Sequence, residues 1–142
     1  MSDDNFEFDY NVDSNGILII SFAGYFDADD WLVQMQEKLQ SAPKSFNPER
    51  PMVVDLTNFK PPKSDWSIEI QKVLSLIKAR GLRRGRRALV IGENTEAQIA
   101  GHFYTRFKEA TMGVDEGLRI FVSHEEAYAW VSEGWTNALP MD

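Results

Sequence analysis

Arg87-Ala-Leu-Val-Ile91 runs straight into Gly92-Glu-Asn-Thr95. An apolar run without alternation describes a strand covered on both faces, as in a parallel sheet. Asn94 is a favoured helix cap. After it, Ala97, Ala100, Phe103, Tyr104 and Phe107 recur at helical spacing and are read as the inner stripe of a helix. A buried strand feeding a capped helix is half of a β-α-β crossover, and the same alternation continues in both directions. Upstream, Met52-Val-Val-Asp-Leu-Thr57 reads as a buried strand and Lys60-Pro-Pro-Lys63 as a break. Ser64 or Asp65 then opens a helix with Trp66, Ile70, Val73, Leu74 and Ile77 inward, ended by Gly81. Downstream, Gly113–Gly117 leads into a strand over Leu118–Val122. Ser123-His-Glu-Glu126 is a capping box for a short last helix with Ala127, Trp130 and Val131 inward.

The N-terminal part reads differently. Phe6, Phe8, Tyr10 and Val12 alternate with Glu7, Asp9, Asn11 and Asp13, the period of a strand with one wet face. Ser14-Asn15-Gly16 is a turn, and Ile17–Phe22 a second strand, so the chain opens with a hairpin. Gly24 is expected to break that strand. Asp27 caps a helix with Ala28, Trp31, Leu32, Met35 and Leu39 on one stripe, and three prolines make Ser41–Pro51 a loop. The fold class is therefore α/β, in the order β-β-α-β-α-β-α-β-α, with a mostly parallel sheet and an N-terminal antiparallel hairpin. Residues 1–142 are expected to form a single domain.

Composition narrows the function classes. The chain has no cysteine, which removes disulfides, thiolate metal sites and cysteine nucleophiles together. The N-terminal stretch lacks the basic and apolar regions of a secretory signal, and no apolar run is long enough to span a bilayer, so a cytoplasmic location is expected. Net charge is −7, against general nucleic-acid binding. The charge is uneven: residues 1–37 hold no Lys or Arg, whereas Lys78–Arg87 hold six of the fifteen basic residues.

The element order, with its short terminal helix, resembles the STAS domains of anti-sigma-factor antagonists. Gly24-Tyr-Phe-Asp27, Val54-Asp-Leu-Thr-Asn-Phe59, Arg87-Ala-Leu-Val-Ile-Gly92 and Leu118-Arg-Ile-Phe-Val-Ser-His-Glu-Glu-Ala-Tyr-Ala-Trp130 look like its SpoIIAA-like branch, which is often compared with CRAL-TRIO lipid-binding domains. The resemblance implies a regulatory, signalling or ligand-binding module. It also implies that the serine opening the second helix is phosphorylated by a partner kinase. Ser64 stands nine residues after Asp55, at that serine's spacing, but Lys63, Asp65 and Trp66 replace the Asp-Ser-Ser-Gly-like surroundings. The residues themselves favour Ser64 as a helix N-cap.

Four further sets of residues carry candidate chemistry. Arg83, Arg84, Arg86 and Arg87 are either a solvated turn or an anion-binding cluster. Tyr25, Phe26 and Trp135 fall outside the regular inner stripes and are either core or the lining of an apolar-ligand opening. On the second helix Ile68 lies about 200° and Leu76 about 280° from Trp66. With Lys63 and Lys72 they are expected to form a contact surface for a partner protein or a second copy of the chain. Asp27, Asp29 and Asp30 suit a hard cation but are better explained by the helix dipole. His102 and His124 fall in different helices with no metal or catalytic spacing, and neither a cofactor nor a metal is expected. The expectation is a non-catalytic module that binds a protein partner. The alternative is a carrier or sensor of an apolar, lipid-like ligand.

Overall fold

A computed structural model describes residues 5–80 and 84–140. These form β1 (Glu7–Val12), β2 (Leu18–Tyr25), α1 (Ala28–Ser41), β3 (Met52–Lys60), α2 (Trp66–Arg80), β4 (Arg87–Val90), α3 (Thr95–Met112), β5 (Leu118–Phe121) and α4 (His124–Ser132). The helix stop at Gly81 and the candidate Arg83 lie outside the described residues. The strands build one sheet in the order β1-β2-β3-β4-β5, with β1 antiparallel to β2 and the other neighbours parallel. Both the element order and the antiparallel edge are those read from the sequence. No helix among the described residues is long and apolar enough to cross a membrane.

Each parallel strand lies beside its predecessor and all advance the same way, so right-handed crossovers put α1, α2 and α3 on one face. The last helix, α4, returns to the other. Strand alternation serves both sides. Val53, Ala88 and Val90 pack with Ala127 and Val131 under α4, while Val54, Leu89 and Ile91 join the larger cluster with α1 and α3.

Two strands run further than expected. Gly24, at φ 77°, does not end β2, and pairing continues through Gly24↔Phe59 and Tyr25↔Lys60. A left-handed residue is tolerated here because it carries no Cβ. The register shifts between Ser21↔Asp55 and Ala23↔Asn58, so β3 holds one extra residue. That bulge changes the parity of the strand, and Phe59 joins Val54 and Leu56 on the helical side. Asn94 braces it. The Asn94 Oδ1 accepts from Ala97 N (3.1 Å) as the expected cap of α3, and Nδ2 donates to the carbonyls of Leu56, Thr57 and Phe59 at 3.3, 3.0 and 2.8 Å.

The long loop before β3 is pinned by Arg50, whose side chain is fully buried (0 % exposed). It donates to the carbonyls of Lys44 (3.0 Å), Gly16 (3.1 Å) and Pro140 (2.8 Å), joining the loop, the hairpin turn and the C-terminal segment.

Candidate functional site

The three helices over one face do not all reach the sheet. α3 approaches β3 closely, whereas α1 and the middle helix, α2, make their main approaches to neighbouring helices. Beneath α2 lies a cavity of about 240 Å³. Its floor is Ile20, Val54 and Leu89 of three successive strands. Trp31 and Met35 of α1, Val73 and Leu76 of α2, and Ala100 and Tyr104 of α3 line it from above. Met52 and Phe59 both line it from opposite ends of β3, so it extends about 20 Å along the strand. These side chains are almost all hydrocarbon, and the few polar groups gather at the two ends.

At the C-terminal end of the parallel strands stand Phe26, Phe59, Trp31 and Trp66. Phe26 packs against both indoles, with ring centroids 6.5 Å from Trp31 and 5.9 Å from Trp66. The Nε1 atoms of both tryptophans are buried without a hydrogen-bond partner among the described residues. An unsatisfied buried donor costs about 1–3 kcal/mol, and two occur among these packed aromatic rings.

At the N-terminal end, Arg87 opens β4 and forms a bidentate pair with Asp115, its Nη1 and Nη2 donating at 2.7 and 2.8 Å. Lys108 Nζ donates to the same carboxylate at 2.7 Å. Arg87 and Lys108 both line the cavity and are nearly inaccessible to solvent. Gly117 makes this packing possible, because a Cβ there would sit 2.7 Å from Arg87 Nη2. Burial raises the Asp115 pKa, but the hydrogen bonds and charges of Arg87 and Lys108 outweigh it and hold the carboxyl at about 2. Burial pulls the Lys108 ammonium down, opposed by its bond to Asp115. Tyr104 lies one turn before Lys108. Burial pushes its phenol up to about 12, and the hydroxyl makes no hydrogen bond among the described residues.

Several sequence expectations are corrected by this geometry. Arg87 is not part of a solvated turn: it is 6 % exposed and turned inward onto Asp115. Arg86 stacks over the Trp130 ring at 5.0 Å, donates to the Trp130 carbonyl at 2.9 Å and pairs with Glu133 at 3.6 Å. The exposed Arg84 faces Glu49 at 3.6 Å. The described arginines of that stretch thus clasp their own chain.

Of the three aromatic candidates, Phe26 alone lines the cavity. Tyr25 instead carries Lys60 and Lys63 over its ring, at 5.2 and 4.6 Å. Trp135 belongs to the cluster under α4, and its Nε1 donates to the Asn15 carbonyl at 2.9 Å.

On α2, Ile68 is outward as expected, at 52 % exposed. Leu76 is not, because 280° from Trp66 is only about 80° the other way round, which puts it on the flank of the inner stripe and into the cavity wall. Lys72 is held by Asp29 of α1 at 3.1 Å.

Ser64 does not cap α2. Asp65 does: its carbonyl accepts from Glu69 N, and Oδ1 accepts from Ser67 N (2.9 Å) and Ser67 Oγ (2.7 Å). The Ser64 hydroxyl instead donates to Glu69 Oε1 at 2.6 Å, and Glu69 Oε2 accepts from Ala28 N at 3.2 Å. Ser64→Ala should therefore cost about 1.5 kcal/mol by losing one bond to a buried carboxylate. Ser64→Asp should cost more, since it sets a second carboxylate against Glu69. Urea unfolding of the two variants checks this order, and a neutral Ser64→Asp would contradict it.

Lys108, Asp115 and the two indole donors escaped the sequence reading. One signal for Lys108 was present. At about 100° per residue it falls about 20° from Ala97, on the centre of the α3 stripe, whereas Phe103 falls about 120° away. Accordingly Lys108 is 3 % exposed and Phe103 41 %.

No family model matches the sequence, and no curated protein matches it either. A crystal structure of an uncharacterized protein of the DUF3478 family with a SpoIIAA-like fold, from Shewanella loihica PV-4, matches with a TM-score of 0.59. The match covers 92 % of this chain and 98 % of that one, at 16 % identity. At that identity the likeness is one of fold, and the fold of this chain is SpoIIAA-like, as the resemblance implied.

Proposed function

We propose that the protein is a non-catalytic binder of an apolar small molecule, taken up between α2 and the sheet. The observation that carries this reading is the apolar cavity of about 240 Å³ between three successive strands and the three helices over them. Close packing is the rule in protein interiors, and a void of this size forfeits dispersion contacts along its whole lining. A bound molecule restores those contacts.

A protein-binding module is the weaker reading. Of the four residues expected to carry it, Leu76 faces the cavity and Lys72 is engaged by Asp29, which leaves Ile68 and Lys63. Lys63 itself lies over Tyr25.

The test is a titration of the delipidated full chain with 1-dodecanol, a neutral apolar probe, followed by tryptophan emission and calorimetry. Saturable one-to-one binding is expected, with a negative heat-capacity change from buried apolar surface. Absence of saturable binding up to the solubility limit of the alcohol would overturn the proposal.

A further inference from the structure

The end of the cavity at Arg87 and Lys108 carries more charge than its own residues neutralise. Three ionisable side chains meet there: two nearly inaccessible cations and the partly buried carboxylate of Asp115. Among the described residues, no second carboxylate bonds to any of the three groups. Arg87 uses both terminal nitrogens on Asp115 and its Nε on the Gly85 carbonyl (3.1 Å). Lys108 has spent one of three N–H donors, on Asp115. One turn earlier on the same face, the Tyr104 hydroxyl has no partner among the described residues, and burial keeps it protonated as a donor. A buried net charge of one is costly to leave unmatched, and buried charges are normally paired.

Resting on the cavity reading above, we infer that the ligand is an amphiphile with a single carboxylate head, which sits against Lys108 and Tyr104 while its hydrocarbon tail runs toward Trp31 and Trp66. Charge chooses the head. A monoanion brings the cluster of two cations and Asp115 to neutrality. A phosphate dianion would leave an excess negative charge in the same low-dielectric site, and an ammonium would add to the positive one. Donor chemistry agrees, since the ammonium of Lys108 and the phenol of Tyr104 offer hydrogens and a carboxylate only accepts. Length agrees as well. About 20 Å of apolar wall separates this end from the tryptophans, so a chain and not a compact ring system fills it.

The experiment compares dodecanoate, 1-dodecanol and dodecylammonium at pH 8, each below its micelle concentration, on the delipidated full chain and on Lys108→Met and Tyr104→Phe. Dodecanoate should bind the wild type at least about tenfold more tightly than the alcohol, the usual scale of a hydrogen bond to a charged partner. Dodecylammonium should bind worst. Lys108→Met should erase the preference, bringing dodecanoate to no better than the alcohol on the same variant. It leaves the Arg87–Asp115 pair neutral, so the chain should still fold. Should that variant not fold, Tyr104→Phe decides, with the preference for dodecanoate over the alcohol expected to narrow by about fivefold. Equal saturable binding of acid and alcohol to the wild type would overturn the head assignment and leave the cavity reading standing. A preference that survives both variants would overturn the placement of the head. Saturable binding of neither probe would remove the cavity reading and this inference together.

Discussion

Asp115→Ala is expected to cost about 3–5 kcal/mol, a large part of the total stability of a domain of this size. The loss comes less from the bonds removed than from what they leave behind. Arg87 and Lys108 would remain buried beside an apolar cavity as two like charges without a counter-ion. Adding Lys108→Met to Asp115→Ala should therefore recover part of the loss, a non-additivity that urea unfolding of the single and double variants reads directly. The same pair predicts the acid limb. The Asp115 carboxyl is lowered from its ordinary 3.8 to about 2 in the folded chain, so its stabilisation is fully present above 3.8 and is lost as pH falls through about 2. Stability of Asp115→Ala should accordingly fall less steeply over that window. A loss below about 1 kcal/mol, the value of an exposed pair, would show that the cluster is solvated.

Val54→Phe and Val73→Phe are expected to abolish uptake of 1-dodecanol while leaving the fold intact. One residue projects from the floor of the cavity and the other from α2 above it, so each phenyl ring occupies space that a ligand would otherwise fill. Filling a void restores dispersion contacts, and the melting temperature should be unchanged or raised, in contrast to the loss of about 1–3 kcal/mol that overpacking a tight core produces. Binding must fall at least about tenfold for the cavity to be the site; one lost chain segment of two methylenes already accounts for that much. Wild-type affinity in both variants, with the melt raised, would make the void a packing feature without a ligand.

Period and punctuation in the sequence were enough for the sheet. Asn94, Asp27 and Ser123 cap the helices they were expected to cap, and the apolar run Arg87–Ile91 is covered on both faces. What the sequence did not disclose depends on distances between residues remote in the chain. Asp115 lies in a loop, and nothing local marks it as the partner of Arg87, 28 positions away. The bulge in β3 is set by pairing to β2, so Gly24 read as a stop when it is a link. The cavity is the hardest case. The spacing on α2 correctly turns Val73 and Ile77 inward, but no periodicity reports how far a helix stands from the sheet it faces.

The Arg50 clasp has a consequence for the order in which the chain assembles. Its acceptors include the carbonyls of Gly16, Lys44 and Pro140, and the last is 90 positions away. The entropic cost of closing so long a loop grows only logarithmically with its length, but it must be met before the contact returns anything. The guanidinium can therefore enter its final site only after the parallel strands have brought the C-terminal segment back beside the hairpin turn. Once seated, it makes the two remote segments thermodynamically one unit, because release of either strips an acceptor from a charge that has no solvent to turn to.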